Sequence, residues 1–336
     1  MNNKNFLEKI NKLTEYHYKN SEKFKNIIDK VYNKRLFSTS IQDVPFLPVS
    51  LFKEIDLKSI PDKKIFKILN SSGTSESQLS KIYLDKENAI RQTKVLNQVV
   101  SEIIGSKRLP MLLIDEKKII KDPRQFNAKA AAYLGFSLFG SNILYLIEDG
   151  KINYKALNSF LEKYEKERIL IFGFTSEIYL KFIDQLNIEK LSKKSFDKAI
   201  LIHGGGWKKM ERKKISNLKF KEILKEKFKI NSIYNYYGLI EQTGSIFFES
   251  ECGYFTTNNF SDVIIRGNDF KVLPENKKGF VQLISTLPTS YPGHSILTED
   301  IGEIKDIKNC KCGKKKTHFL IHGRIKESEL RGCSDV

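Results

Sequence analysis

Between residues 86 and about 210, segments with the apolar spacing of amphipathic helices alternate with short, continuously apolar runs, and this rhythm restricts the fold more than any other feature. Helical patterns at 86–104 and 154–166 are interleaved with Pro110-Met111-Leu112-Leu113-Ile114, Ile143-Leu144-Tyr145-Leu146, Ile169-Leu170-Ile171-Phe172 and Ala199-Ile200-Leu201-Ile202. Runs this short and this apolar suit strands buried on both faces, with the intervening helices as crossovers. The class is therefore α/β, in layers.

Beyond residue 245 the spacing tightens. Val263-Ile264-Ile265, Phe280-Val281-Gln282-Leu283-Ile284 and Phe319-Leu320-Ile321 are separated by Gly, Asn, Asp and Pro turns, which predicts a smaller β-rich subdomain. At the other end, Phe6, Ile10, Leu13, Tyr16, Phe24, Ile27, Ile28 and Val31 recur at helical spacing on a charged background. They predict one or two packing helices. Pro45 and Pro48 then disfavour helix, and Ile65-Phe66-Lys67-Ile68-Leu69 reads as a strand. The expected divisions are a helical arm at 1–60, an α/β core at 61–245 and a β-rich part with a tail at 246–336. No repeat, Gly/Ser linker or low-complexity tract marks a cut, so one continuous domain is expected.

Composition matters here for what it excludes. The 336 residues are 40% hydrophobic, enough to bury a large core and to exclude overall disorder. The formal charge of +18 suggests nucleic acid at first sight. Its source, however, is mostly Lys alternating with Glu, Asn and Ile along whole helices, the pattern of a solvated surface, so no nucleic-acid partner is expected. Apolar stretches such as 138–147 are broken by Gly140, Ser141 and Asn142 well short of the roughly 20 residues that span a bilayer. Glu8, Lys9 and Lys12 interrupt the place of a secretory signal, and four late cysteines are too few to staple the fold. A reduced, cytoplasmic location is expected.

Four segments carry candidate chemistry. Ser71-Ser72-Gly73-Thr74-Ser75, after the strand near Leu69 and before Lys81, is either an ordinary turn or a loop whose hydroxyls and N–H groups cradle phosphate, with the lysine as a point charge. Tyr237-Gly238-Leu239-Ile240-Glu241 offers an aromatic ring, a bend and a carboxylate suited to Mg2+, or a surface Glu beside core tyrosines. His203-Gly204-Gly205-Gly206-Trp207-Lys208 lets a ring approach the backbone, with His203 as a lid or as a strand-end residue. In the fourth, Asp300 is read as an acidic turn residue able to accept two ribose hydroxyls, and Arg324 as a fixed positive fork.

In this order the segments resemble the adenylate-forming superfamily, and within it the LuxE-like acyl-protein synthetases, over about residues 70 to 333. The resemblance implies a layered α/β large domain with a smaller C-terminal β-rich subdomain and without the superfamily's usual mobile C-terminal domain. It implies that 61–245 binds nucleotide, with ATP and Mg2+ as cofactors. Ser71, Ser72, Gly73, Thr74 and Ser75 then form the phosphate loop, and Gly204, Gly205, Gly206 and Trp207 the adenine-side loop. Tyr237, Gly238 and Glu241 form the adenine and metal motif, Asp300 the ribose ligand and Arg324 the late arginine motif. Glu76 stands where the superfamily loop has Gly, and Lys81 comes two residues late.

The implied reaction is activation of a carboxylic acid, expected to be fatty, as its acyl-adenylate, with Glu241 and Lys81 in catalysis. Transfer to a cysteine follows, and Cys333 in the closing Ser328-Glu329-Leu330-Arg331-Gly332-Cys333 is the candidate acceptor, with Arg331 and Lys326 near enough in sequence to favour thiolate. The competing reading of Cys333 is a passenger residue. Cys252, Cys310 and Cys312, with His318, are either a zinc set or part of a turn, the single residue between Cys310 and Cys312 being short for a zinc knuckle. The expected partners are the acid and an acyl reductase or acyl-acceptor protein. The alternatives are a CoA-forming or carrier-loading ligase and a non-catalytic basic binding module.

Overall fold

A computed structural model describes residues 3–71, 79–120, 128–192, 195–207, 210, 213–307 and 317–325. The chain opens with α1 (Asn3–Asn20) and α2 (Glu22–Val31), whose apolar stripe buries Ile10, Phe24 and Ile28. Next come β1 (Leu47–Pro48), α3 (Leu51–Glu54) and the antiparallel pair β2 (Lys67–Asn70) and β3 (Lys81–Leu84). Then follow α4 (Lys86–Ile104), β4 (Leu109–Glu116), α5 (Ala128–Ser137), β5 (Gly140–Glu148), β6 (Lys151–Ile152), α6 (Tyr154–Lys163) and β7 (Ile169–Phe174). A short turn of helix, α7 (Thr175–Glu177), continues as a π-helix over Ile178–Asp184. After β8 (Ala199–Gly204), α8 (Asn217–Phe228) starts where the Ser216 side chain accepts from Lys219 N, and ends at Lys229 in the left-handed region. The chain closes with β9 (Ser232–Gly238), β10 (Ile246–Phe248), β11 (Phe255–Thr256), β12 (Ser261–Arg266), β13 (Gly279–Ser285), β14 (Ser295–Lys305) and β15 (His318–Arg324).

Packing divides these elements into two compact units. One contains residues 1–99 and 238–331, the other residues 100–237. The crossings fall inside α4 and at the end of β9. This differs from the expected divisions at 60 and 245, and the reason is tertiary. β1 pairs in parallel with β14, and Phe6 and Ile10 of α1 share a core with Ile264 and Ile284, so the arm and the β-rich part are one body.

In the second unit the strands run β9-β8-β7-β4-β5-β6. β7 and β8 are buried along their whole length, which explains their uninterrupted apolar sequences. Helices α6 and α8 and the π-helix pack against this sheet around Phe182, Phe220, Leu224 and Phe228. In the first unit the order is β11-β15-β14-β13-β12, with β1 added to β14. Asp300 sits within the eleven-residue β14, not in the turn expected of it, because β14 is held by neighbours on both sides that its sequence does not reveal. No helix among the described residues is long and apolar enough to cross a membrane.

Candidate active site

Glu241 stands in a single 3-10 turn, Ile240–Gln242, and is 3% exposed. Burial raises its pKa by penalising the charged form, while the Ser80 side chain, Arg324 and Lys53 oppose that rise. Ser80 belongs to the base of the hydroxyl-rich loop. Ser71 N donates to Ser80 O at 3.0 Å, and Ser80 N donates to Ser71 Oγ at 2.8 Å, so β2 and β3 clamp both ends of segment 72–78. The first unit therefore brings the root of that loop to the buried carboxylate. Ser72, Gly73, Thr74 and Ser75 themselves lie outside the described residues.

Asp300 and Arg324 are direct cross-strand partners on β14 and β15, with Arg324 Nε 3.4 Å from Asp300 Oδ1. Asp300 is buried, and its own N–H donates to Thr298 Oγ1 at 3.1 Å, which fixes the strand beneath the carboxylate. Neighbouring Glu299 lies 3.9 Å from Lys53 Nζ. Lys81 points elsewhere in this conformation: its side chain is 52% exposed and Nζ is 3.9 Å from Asp56 Oδ1. Gly238 opens the turn that leads to Glu241, and Tyr237 ends the preceding unit, half-buried.

In the second unit, Gly204 and Gly205 leave the carboxyl end of β8. A Cβ on Gly204 would fall 2.5 Å from the Tyr236 ring, and Gly205 has φ +76 with Phe174 2.8 Å from its virtual Cβ, so neither position admits a side chain. Gly206 borders open space. Trp207 is 8% exposed and packs edge-on to Tyr179 and Phe220 in the core. His203 is 1% exposed, with Nδ1 2.9 Å from Thr175 Oγ1. That hydroxyl also donates to Gly204 O at 3.1 Å, so its single proton is used and Nδ1–H of His203 is the donor. Burial pushes the His203 pKa down to about 3, and the ring is neutral.

The sequence reading missed a charge quartet in this unit, built on buried Asp115 with three half-buried partners. Asp115, at the carboxyl end of β4, is 2.8 Å from Lys129 Nζ and 3.2 Å from Lys181 Nζ, and both lysines lie 2.8 Å from Glu177. β4 has β5 on one side and β7 on the other, so the quartet caps the point where strand order reverses, the position at which open α/β sheets bind ligands. Only the carboxyl-end position of Asp115, straight after an apolar strand, hinted at it. Cys333, Cys310 and Cys312 lie outside the described residues. Cys252 is half-buried and forms no disulfide among the described residues, and no group of three or more metal-ligating side chains occurs among them.

The sequence model of the family described as "Acyl-protein synthetase, LuxE" matches residues 1–336. A long-chain-fatty-acid–luciferin-component ligase of Aliivibrio fischeri is 26% identical over 336 residues, covering 95% of this chain and 84% of the relative. Its counterpart from Vibrio harveyi is 22% identical with the same coverage. Among solved structures, an open conformation of 2-hydroxyisobutyryl-CoA ligase in complex with 2-HIB-AMP and CoA matches with a TM-score of 0.72 at 13% identity, over 97% of this chain and 70% of that one. At that identity the match shows the fold, which is that of adenylate-forming ligases. The chain is a ligase and belongs to the acyl-protein synthetase LuxE family.

Proposed function

We propose that this ligase uses Mg·ATP to activate a long-chain fatty acid as its acyl-adenylate and passes the acyl group to the thiol of Cys333. The observation that carries the reading is the placing, within one unit, of buried Glu241 near Ser80 at the root of the hydroxyl-rich loop. A carboxylate whose burial disfavours its charge, with no Lys or Arg in ion-pair range among the described residues, suits a hard divalent cation. Bound there, Mg2+ would offset phosphate charge and polarise phosphoryl oxygens.

The chain's own groups do the rest by position. Ser71 to Ser75 hold phosphate oxygens, and Lys81, only loosely paired with Asp56 at 3.9 Å, swings from it to reach them when ATP binds. Asp300 accepts the ribose hydroxyls and is oriented by Arg324. Gly204, Gly205 and Gly206 give the adenine a backbone surface without side chains, with Trp207 as its support, and Tyr237 and Gly238 border the base. An oxygen of the acid attacks the α-phosphorus, the bond to pyrophosphate breaks, and an acyl–AMP anhydride forms. The Cys333 thiolate then attacks the acyl carbon, AMP leaves with the bonding electrons of the C–O bond, and a thioester remains. The enzyme works in the cytoplasm beside an acyl reductase or acyl-acceptor protein that takes the thioester.

The test is pyrophosphate release from Mg·ATP with fatty, aromatic and small hydroxy acids, followed by intact mass of the protein with and without Cys333→Ala. The expected result is release with fatty acids and an acyl adduct that Cys333→Ala abolishes while adenylate still forms. Acyl-CoA made on addition of CoA, with no adduct, would point to a CoA-forming ligase. No ATP binding at all would end the catalytic reading.

A further inference from the structure

Residues 287–295 form a largely buried segment, several of whose polar groups bond to other elements of the first unit. On the site side, the Tyr291 hydroxyl donates to the backbone oxygen of Glu241 at 2.9 Å. Gly293 O accepts from the Gln242 side chain at 2.9 Å, and the same Gln242 Nε2 donates to Leu283 O at 3.1 Å. A Cβ on Gly293 would lie 2.9 Å from Glu241 O and 2.3 Å from the Tyr291 ring, so the segment passes the Glu241 turn as closely as backbone can. The two residues at the heart of the turn are thus held by the segment, one through its main chain and one through its side chain.

On the far side the segment is braced by α4 and α1. Asn88 Nδ2 donates to Leu287 O at 2.6 Å, and Ser290 Oγ lies 2.8 Å from Tyr83 O and 3.0 Å from Asn88 Oδ1. Pro288 O can only accept, so His17 bonds it at 3.2 Å through Nε2–H and takes the Ser59 hydroxyl on Nδ1 at 2.8 Å. Thr14 gives its one hydroxyl proton to Ile10 O, so His294 Nε2–H donates to Thr14 Oγ1 at 2.9 Å. The two imidazoles stack with centroids 5.1 Å apart. Every anchor is buried, where a broken hydrogen bond leaves a group that water cannot reach.

We propose that Tyr291 is a positioning residue for Glu241, and that segment 287–295 is a strut by which the N-terminal helix sets the place of that carboxylate. The proposal rests on the reading of Glu241 as the Mg·ATP carboxylate. Removing the Tyr291 hydroxyl frees the Glu241 backbone without touching nucleotide or acid. The cost then falls on affinity that depends on Mg2+, and the acid site keeps its own.

The experiment compares Tyr291→Phe, Thr14→Val and Glu241→Gln with wild type by calorimetric titration of ATP in Mg2+ and in EDTA, and by pyrophosphate release. Tyr291→Phe is expected to weaken Mg·ATP binding and lower kcat about tenfold each, with ATP affinity in EDTA and KM for the acid unchanged. Thr14→Val, remote from the site and isosteric, is expected to move the same two quantities about threefold. Equal losses in EDTA and Mg2+, or wild-type values in a folded Tyr291→Phe, would overturn the strut. If Tyr291→Phe is recovered unfolded, Thr14→Val decides alone by the same criteria. A Glu241→Gln protein that binds Mg·ATP like wild type would instead overturn the reading of Glu241 on which the strut depends.

Discussion

Four of the five histidines are buried, and three of them, His17, His203 and His294, are held neutral there. His17 and His203 are pushed by burial down to about 3, and His294 is driven well below its ordinary value by burial and by His17 beside it. In the unfolded chain all three titrate near 6.5, so below that pH the unfolded state binds more protons and stability falls with pH. Lowering pH from 7.5 to 5.5 costs about 1.4 kcal/mol for each of these residues, about 4 kcal/mol for the three together. Chemical denaturation at the two pH values measures this, and His203→Gln is expected to reduce the difference by about a third. His203 is the cleanest probe because its ring meets Thr175 and Phe220 and lies apart from the His17–His294 stack.

Among the elements, the quartet above β4 and β7 holds α5 and the π-helix over the strand ends. Against burial, which would raise it, Lys129 and Lys181 keep the Glu177 pKa down at about 2. Asp115 is 2% exposed, and its replacement by Asn leaves two half-buried ammonium groups sharing one carboxylate. Asp115→Asn is therefore expected to destabilise the protein by about 3 kcal/mol, the low end for breaking a buried charge network because Glu177 remains. A shifted urea midpoint with unchanged slope would measure it. Helices α4 and α6 and strands β4, β5, β7 and β8 were legible in this region, since 86–104, 154–166 and the runs beginning at Pro110, Ile143, Ile169 and Ala199 carry the expected periodicity, whereas α5 and the π-helix were not named. The quartet was not legible, because its four members come from three separate segments and only the folded sheet aligns them.

For the molecule as a whole, a ligand that binds only the folded state raises stability by mass action. Mg·ATP at 100 times its Kd is expected to add about 2.7 kcal/mol, read as a rise in melting temperature that Glu241→Gln abolishes. An unchanged melting temperature in wild type would count against nucleotide binding. The sequence by itself determined the α/β class, the terminal helices, the strand-dense region after 245 and the order of motifs that marks the family, because period and local composition are properties of neighbouring residues. β14 escaped it, since Thr298-Glu299-Asp300-Ile301-Gly302-Glu303 has the polarity of a turn and becomes a strand only by pairing with β13 and β15. The union of residues 1–99 with 238–331 likewise came only from tertiary structure. So did the burial of Glu241 against Ser80 and the strut from Thr14 and His17 through Tyr291. Those contacts join residues up to 280 positions apart, and hydrogen bonds and shared cores at that separation leave no local trace in a single chain's sequence.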